Sequence, residues 1–230
     1  MKVLVIIPAY NEEENIVRVV DKLISEYPQY DYVVVNDGSV DRTGDICREH
    51  NYSYIDLPVN LGLAGAFQTG MKYALKYDYD CAIQYDGDGQ HRPEYIEGML
   101  RLLEKEKLDI VIGSRFAEIK KPFNLRMAGS FLIEMCIFLT TGKIIRDTTS
   151  GMRMFNKRMI HKLATTMNCG PEPDTVAYLM RCGVKVKEYQ VTMDERIAGT
   201  SYLNLSRSMK YMAHMCLSIL VVQWFRKKEL

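Results

Sequence analysis

A chain of 230 residues, 47% hydrophobic and 26% charged, has an ordinary globular composition and is long enough to bury a full core. Thirty basic and 29 acidic residues leave a formal net charge of +1, so no global field recruits nucleic acid and any anion site must be local. Six scattered cysteines with no C-x-x-C pair argue against a structural zinc or a disulfide framework and suit a reducing cytosol.

The first apolar run, VLVII at 3–7, is short for a signal peptide and lacks a small-residue cleavage site, so it is expected to be a strand. Ile16, Val19, Val20, Leu23 and Ile24 then repeat at helical spacing. Asn11 and the three glutamates after it are expected at that helix's start, where the cap and macrodipole favour them. Strands are expected at 32–36, 52–57, 81–85 and 109–114, and helices within 40–50, 64–77 and 92–107, the last opened by Pro93. Solid β-branched runs alternating with helices predict an α/β fold, a right-handed, doubly wound parallel sheet covered on both faces. Beyond Phe116 the pattern loosens. It offers a basic entry and apolar helix within 120–144, a strand near 149–156, a helix from Lys157, an edge strand in 184–193 and an apolar tail helix. A catalytic domain is expected over 1–202. Residues 203–230 are expected to form a helix lying on a membrane interface, on a small membrane protein or on a second copy of the chain.

In such sheets ligands collect at the carboxyl ends of the strands, and the conspicuous polar loops lie there: PAYNE, NDGSVDRT and DGDGQH. Asp86 and Asp88, one residue apart after a buried strand, supply hard oxygen ligands for Mg2+ or Mn2+, with the Gln90 amide nearby. The same residues would also serve an ordinary turn. A calcium loop is rejected, because His91 stands where the tight turn needs glycine and Pro93 interrupts it. Asp37 at a strand end can accept from a nucleobase or ribose, while Ser39 or Asp41 can cap the following helix. Arg115, Arg126, Arg153 and Arg196 are ordinary surface charges singly but would form a phosphate clamp if they converge.

Taken together, the blocks IPAYNEEENI, VNDGSVDRT, NLGLAGAF, YDGDGQH, GSRF, DTTSGMRMF and ERIAGTSY resemble the inverting family 2 glycosyltransferases of the GT-A fold. The branch most similar is that of dolichyl-phosphate mannose synthase and the polyprenyl-phosphate sugar transferases. The resemblance implies a Rossmann-like, mostly parallel sheet and transfer of a sugar from a UDP- or GDP-linked donor to undecaprenyl or dolichyl phosphate. It further implies that Pro8, Tyr10, Glu12 and Asp37 line the nucleotide pocket, and that Asp86, Asp88 and Gln90 hold the metal. Arg115, Arg126 and Arg196 would meet the acceptor phosphate, supported by Arg153 and Ser150, on the cytoplasmic face of a membrane. Asn36 replaces one aspartate of the usual pair, Gly89 a bulkier residue, and Tyr202 a lysine. Transfer to a glycan hydroxyl, nucleotidyl transfer and a non-catalytic binding subunit are the competing readings.

Overall fold

In a computed structural model, which describes residues 1–122, 125–166, 170–194 and 205–226, the first strand, β1 (Val3–Ala9), sends alternate side chains into two cores. Leu4 and Ile6 enter one, and Val3, Val5 and Ile7 the other, as the two-residue period of a strand covered on both faces requires. The elements that follow are α1 (Ile16–Glu26), β2 (Asp31–Asn36), α2 (Thr43–Glu49), β3 (Tyr54–Asp56), α3 (Gly62–Lys76), β4 (Cys81–Gln84), α4 (Tyr95–Lys105) and β5 (Ile110–Ser114). Then come α5 (Leu125–Thr141), β6 (Arg153–Asn156), α6 (Lys157–Thr165), α7 (Pro173–Arg181), β7 (Val186–Gln190), α8 (Leu205–Leu220) and a 3-10 turn, Val222–Phe225.

The seven strands order as β3-β2-β1-β4-β6-β5-β7. All neighbours are parallel except those of β6, which runs antiparallel to both β4 and β5. The sheet is thus mostly parallel, as expected, and its one reversed strand has a local reason. The chain between β5 and β6 is still at the carboxyl end of β5 when it reaches Ser150, whose hydroxyl donates to the Gly113 carbonyl at 2.5 Å. The next strand therefore enters from that end and runs back. β7 takes the expected place at the sheet's edge.

α1, α2 and α4 cover one face of the sheet, and α3, α5, α6, α7 and α8 the other. Phe67 of α3 is fully enclosed against Phe155 of β6, ring centroids 5.4 Å apart, so truncation to alanine costs about 3–5 kcal/mol. Two expectations are corrected. α1 begins at Ile16, and Asn11 stands outside it with φ +55°, its side chain accepting the Val40 amide and tying the β1 loop to the β2 loop. α7 was not expected at all, although Pro173 in its first turn is a recognisable opening.

Candidate active site

The strand order turns at β1, which has β2 on one side and β4 on the other, and a cleft of about 310 Å³ opens at its carboxyl end. Pro8, Tyr10, Glu12 and Asp37 line it together with Asn60 and Leu63. Asp37 is held rigidly. Its amide donates to the Ala9 carbonyl at 2.8 Å, and its Oδ1 accepts the Leu61 amide at 2.7 Å. Gly38 follows with φ +63°, and a Cβ there would stand 2.5 Å from the Val59 carbonyl carbon, so only glycine lets this turn close on the 59–61 loop.

The DGDGQH turn lies one strand away, past the end of β4. Asp86 Oδ1 accepts from Gln84 Nε2 at 3.1 Å, and the Asp86 amide donates to Nδ1 of the buried His91 at 3.1 Å. Because Nδ1 accepts, the neutral ring carries its proton on Nε2, 3.9 Å from Asp86 Oδ2. The His91 carbonyl in turn accepts the Tyr85 hydroxyl at 2.5 Å. Asp88 Oδ1 accepts the Gln90 amide at 3.0 Å, and the Gln90 side-chain nitrogen donates to the Asp194 carbonyl at 3.2 Å. Gly151 packs so closely on the Asp86 carboxylate that any side chain there would displace it.

The donors at this turn are hard oxygens on half-exposed side chains, a set that fits a small divalent cation. Among the described residues no three His, Cys, Asp or Glu side chains gather closely enough to hold a metal. The two aspartates thus offer a partial shell whose remaining positions suit phosphate oxygens and water.

The arginines divide. Arg115, just past β5, forks onto Asp147 through Nε and Nη2, both at 2.8 Å, and its amide meets Asp147 Oδ2 at 3.0 Å. That bonding to a buried carboxylate holds the guanidinium pKa above its usual value. Arg153 is fully buried. Its Nε donates to the Ser150 carbonyl at 2.9 Å and its Nη2 to the Thr148 carbonyl at 2.8 Å, while Nη1 has no partner among the described residues; burial lowers its pKa. Arg153 and the buried Ser150 therefore brace the 148–151 loop from beneath rather than line an open phosphate site. The Arg126 side chain and all of Arg196 and Tyr202 lie outside the described residues. Sequence reasoning passed over Gln84, His91 and Asp147, which act through folded-state contacts. Asp147 had a signal, since it opens DTTSG.

A model described as glycosyl transferase family 2 matches residues 4–164. The chain belongs to glycosyl transferase family 2. The matched span of this glycosyltransferase holds the cleft, the aspartate turn and the Arg115–Asp147 fork. Its relatives include undecaprenyl-phosphate mannosyltransferase of Micrococcus luteus, 29% identical over 221 residues covering 89% of this chain and 88% of that protein. Another is UDP-N-acetylglucosamine–dolichyl-phosphate N-acetylglucosaminyltransferase of Methanococcus voltae, 32% identical over 183 residues, 70% of this chain and 72% of that one. Glucosyl-3-phosphoglycerate synthase of Mycobacterium tuberculosis, crystallised with Mn2+, UDP and phosphoglyceric acid, has the same fold. The match has a TM-score of 0.70 at 14% identity and covers 98% of this chain and 79% of that one.

Proposed function

We propose that this glycosyltransferase moves a sugar from a nucleoside-diphosphate sugar to a polyprenyl phosphate, undecaprenyl or dolichyl, with inversion at the anomeric carbon. The observation that carries the reading is the placing of the Asp37 cleft and the Asp86–Asp88 turn at the carboxyl ends of adjoining strands, a nucleoside-sized hollow beside a cation-binding turn. Relatives named for undecaprenyl and dolichyl phosphates support the acceptor.

The chain's own residues have the following work in this reading. The cleft residues fix the nucleoside so that the anomeric carbon faces the acceptor. Asp86 and Asp88, with the Gln90 side chain, would hold Mg2+ or Mn2+, which supplies charge neutralisation to the departing diphosphate. Gln84 and His91 hold Asp86 in place for that task. Arg115, Arg126 and Arg196 bind and orient the acceptor phosphate, with Arg153 and Ser150 stiffening the loop below. The acceptor oxygen is already an anion, so the bond to the anomeric carbon forms as the bond to the diphosphate breaks, and no general base is required.

The test supplies purified protein with UDP- and GDP-sugars, each with and without manganese, and offers polyprenyl phosphate or the matching polyprenol. Sugar should pass only to the phosphate, only with the metal, and with the anomeric configuration reversed by NMR. Transfer to a free hydroxyl but not to the phosphate would overturn the acceptor assignment.

A further inference from the structure

Asp88 stands between two glycines, Gly87 and Gly89, so the turn's own chain does little to fix the direction of its carboxylate. Asp86 is braced by Gln84 of β4 and by the buried His91, whereas the Asp88 carboxylate bonds the Gln90 amide within the same turn. Gly87 rests on the end of β1, where a Cβ would come within 3.1 Å of the Pro8 carbonyl oxygen. Gly89 has φ +76° and lies against a cation: a Cβ there would collide with the guanidinium of Arg18.

Arg18 belongs to α1, and its Nη2 donates to the Asp88 carbonyl at 3.3 Å and to Asn15 Oδ1 at 3.2 Å. Asn15 is a fixed post. It is 1% exposed, and its side-chain nitrogen donates to Oε2 of Glu12 at 2.7 Å. Glu12 lines the nucleotide cleft, and its amide donates to Thr43 Oγ1 at 2.9 Å. Arg18 thus ties the peptide after Asp88 to the start of α1, beside the cleft wall. That peptide is the one most able to turn, because glycine accepts either sign of φ at little cost. A flip there would re-aim both the Asp88 carboxylate and the Gln90 amide bonded to it. Beyond Gly89 the chain is held again, where the Gln90 carbonyl accepts the Asp194 amide at 2.8 Å.

Resting on the sugar-transferase reading above, we infer that Arg18 is a positioning residue for the metal turn. By holding the Asp88 carbonyl beside Gly89, it keeps the Asp88 carboxylate in the orientation that a divalent cation requires. It acts through Asp88 and makes no contact with nucleotide or sugar. Groups that act on a metal through its ligands are worth about 10- to 100-fold in metal affinity, and bonds this long belong at the low end. Arg18 is solvent-exposed, so its removal should cost the fold little.

The experiment titrates manganese into wild type, Arg18→Ala and Arg18→Lys by calorimetry, with UDP or GDP present, whichever the wild type binds more tightly. Sugar transfer to polyprenyl phosphate is followed in parallel. Arg18→Ala should need about tenfold more manganese for half-saturation. Its melting temperature, metal-free nucleotide affinity and acceptor KM should hold within twofold or a degree or so of wild type, and saturating manganese should restore most of the turnover. Arg18→Lys keeps the charge but not the plane that spans Gly89 and reaches both acceptors, so it should behave like Arg18→Ala. Unchanged manganese half-saturation in Arg18→Ala would overturn this inference and leave the transferase reading standing. Full recovery by lysine would overturn it in favour of a charge effect. A matching loss of metal-free nucleotide affinity would overturn it by making Arg18 a direct nucleotide contact or a support of the fold. A wild type indifferent to manganese would overturn both this inference and the metal turn itself.

Discussion

Asp147 receives the Arg115 guanidinium on both carboxylate oxygens and is itself wholly buried, whereas the Arg115 side chain is 37% exposed. That asymmetry decides which member can be removed cheaply. Arg115→Ala strands a buried carboxylate, a loss of about 3 kcal/mol, the low end for a broken buried pair because water can reach the vacated side. For a chain of this size the melting temperature should fall by roughly 10 °C. Asp147→Asn leaves a half-exposed cation that water can serve, so it should melt closer to wild type while the acceptor KM rises about tenfold and nucleotide affinity holds. Equal melting temperatures for the two variants would show that the pair is not the buried anchor described. Asp88 behaves differently, being half-exposed with one oxygen on the Gln90 amide that asparagine would keep. Asp88→Asn should fold normally yet lose more than about 100-fold in turnover, since even indirect supports of a metal are worth 10- to 100-fold. The manganese dependence of nucleotide affinity should vanish with it. Normal turnover in this variant would dismiss the turn as the metal site.

At the scale of elements, Asp109 joins three strands at the amino end of β5. It accepts the Lys185 amide at 2.8 Å, Asn156 Nδ2 at 2.9 Å, and Arg158 Nε and Nη2 at 3.1 and 2.8 Å. Burial pushes its pKa up, but the Lys185 amide, Arg158 and Asn156 together outweigh it and hold the carboxyl below its ordinary value. A depressed folded-state pKa contributes stability above the unfolded value, near 3.9, and that stability is lost as pH falls through the folded one. Asp109→Asn should therefore cost about 1.5–3 kcal/mol in urea unfolding at pH 7, with the gap to wild type narrowing below pH 4. A gap independent of pH would mean that hydrogen-bond shape, not charge, holds the three strands. The contrast between β5 and β6 also marks what the sequence discloses. IVIGS reads as a buried strand from its own residues, and Ile16, Val19, Val20 and Leu23 announce α1 by spacing alone. The direction of β6 depends on the chain lingering at the end of β5, through Ser150 on Gly113 and Arg115 on Asp147, contacts 37 and 32 residues apart. No local pattern encodes those. The site divides in the same way. Asp86 and Asp88 stand out because turn chemistry is local, whereas His91 and Arg153 take their roles from burial and tautomer.

For the molecule as a whole, the open question is how a protein of this shape reaches a lipid. Among the described residues no helix is long and apolar enough to cross a membrane. α5 buries Ile133, Cys136 and Ile137 and turns Leu132, Met135 and Leu139 outward with Phe138, over an apolar groove of about 540 Å³. The tail exposes Leu217, Leu220, Val221, Val222, Trp224 and Phe225. Apolar side chains this numerous, with the exposed Lys143 just past the end of α5, suit a bilayer interface. Deleting residues 206–230 is a poor way to ask. Met215 and Ile219 of α8 are buried in the same core as α5 and α7, Ser218 donates to Asp174 Oδ2 at 2.7 Å, and Gln223 donates to the Asp174 carbonyl. Truncation would uncover that core, and loss of membrane binding could not be told from unfolding. Charge on the exposed stripe keeps the packing. The pair Phe138→Glu and Leu139→Glu removes two inserting side chains and adds two anions against an acidic bilayer, a change of several kcal/mol in partitioning. The protein should float with anionic liposomes, and the double variant should stay at the bottom of the gradient with nucleotide binding and melting temperature unchanged. If the unaltered protein also stays at the bottom, and no membrane protein recruits it in cells, the α5 stripe has another occupant and the peripheral placement fails.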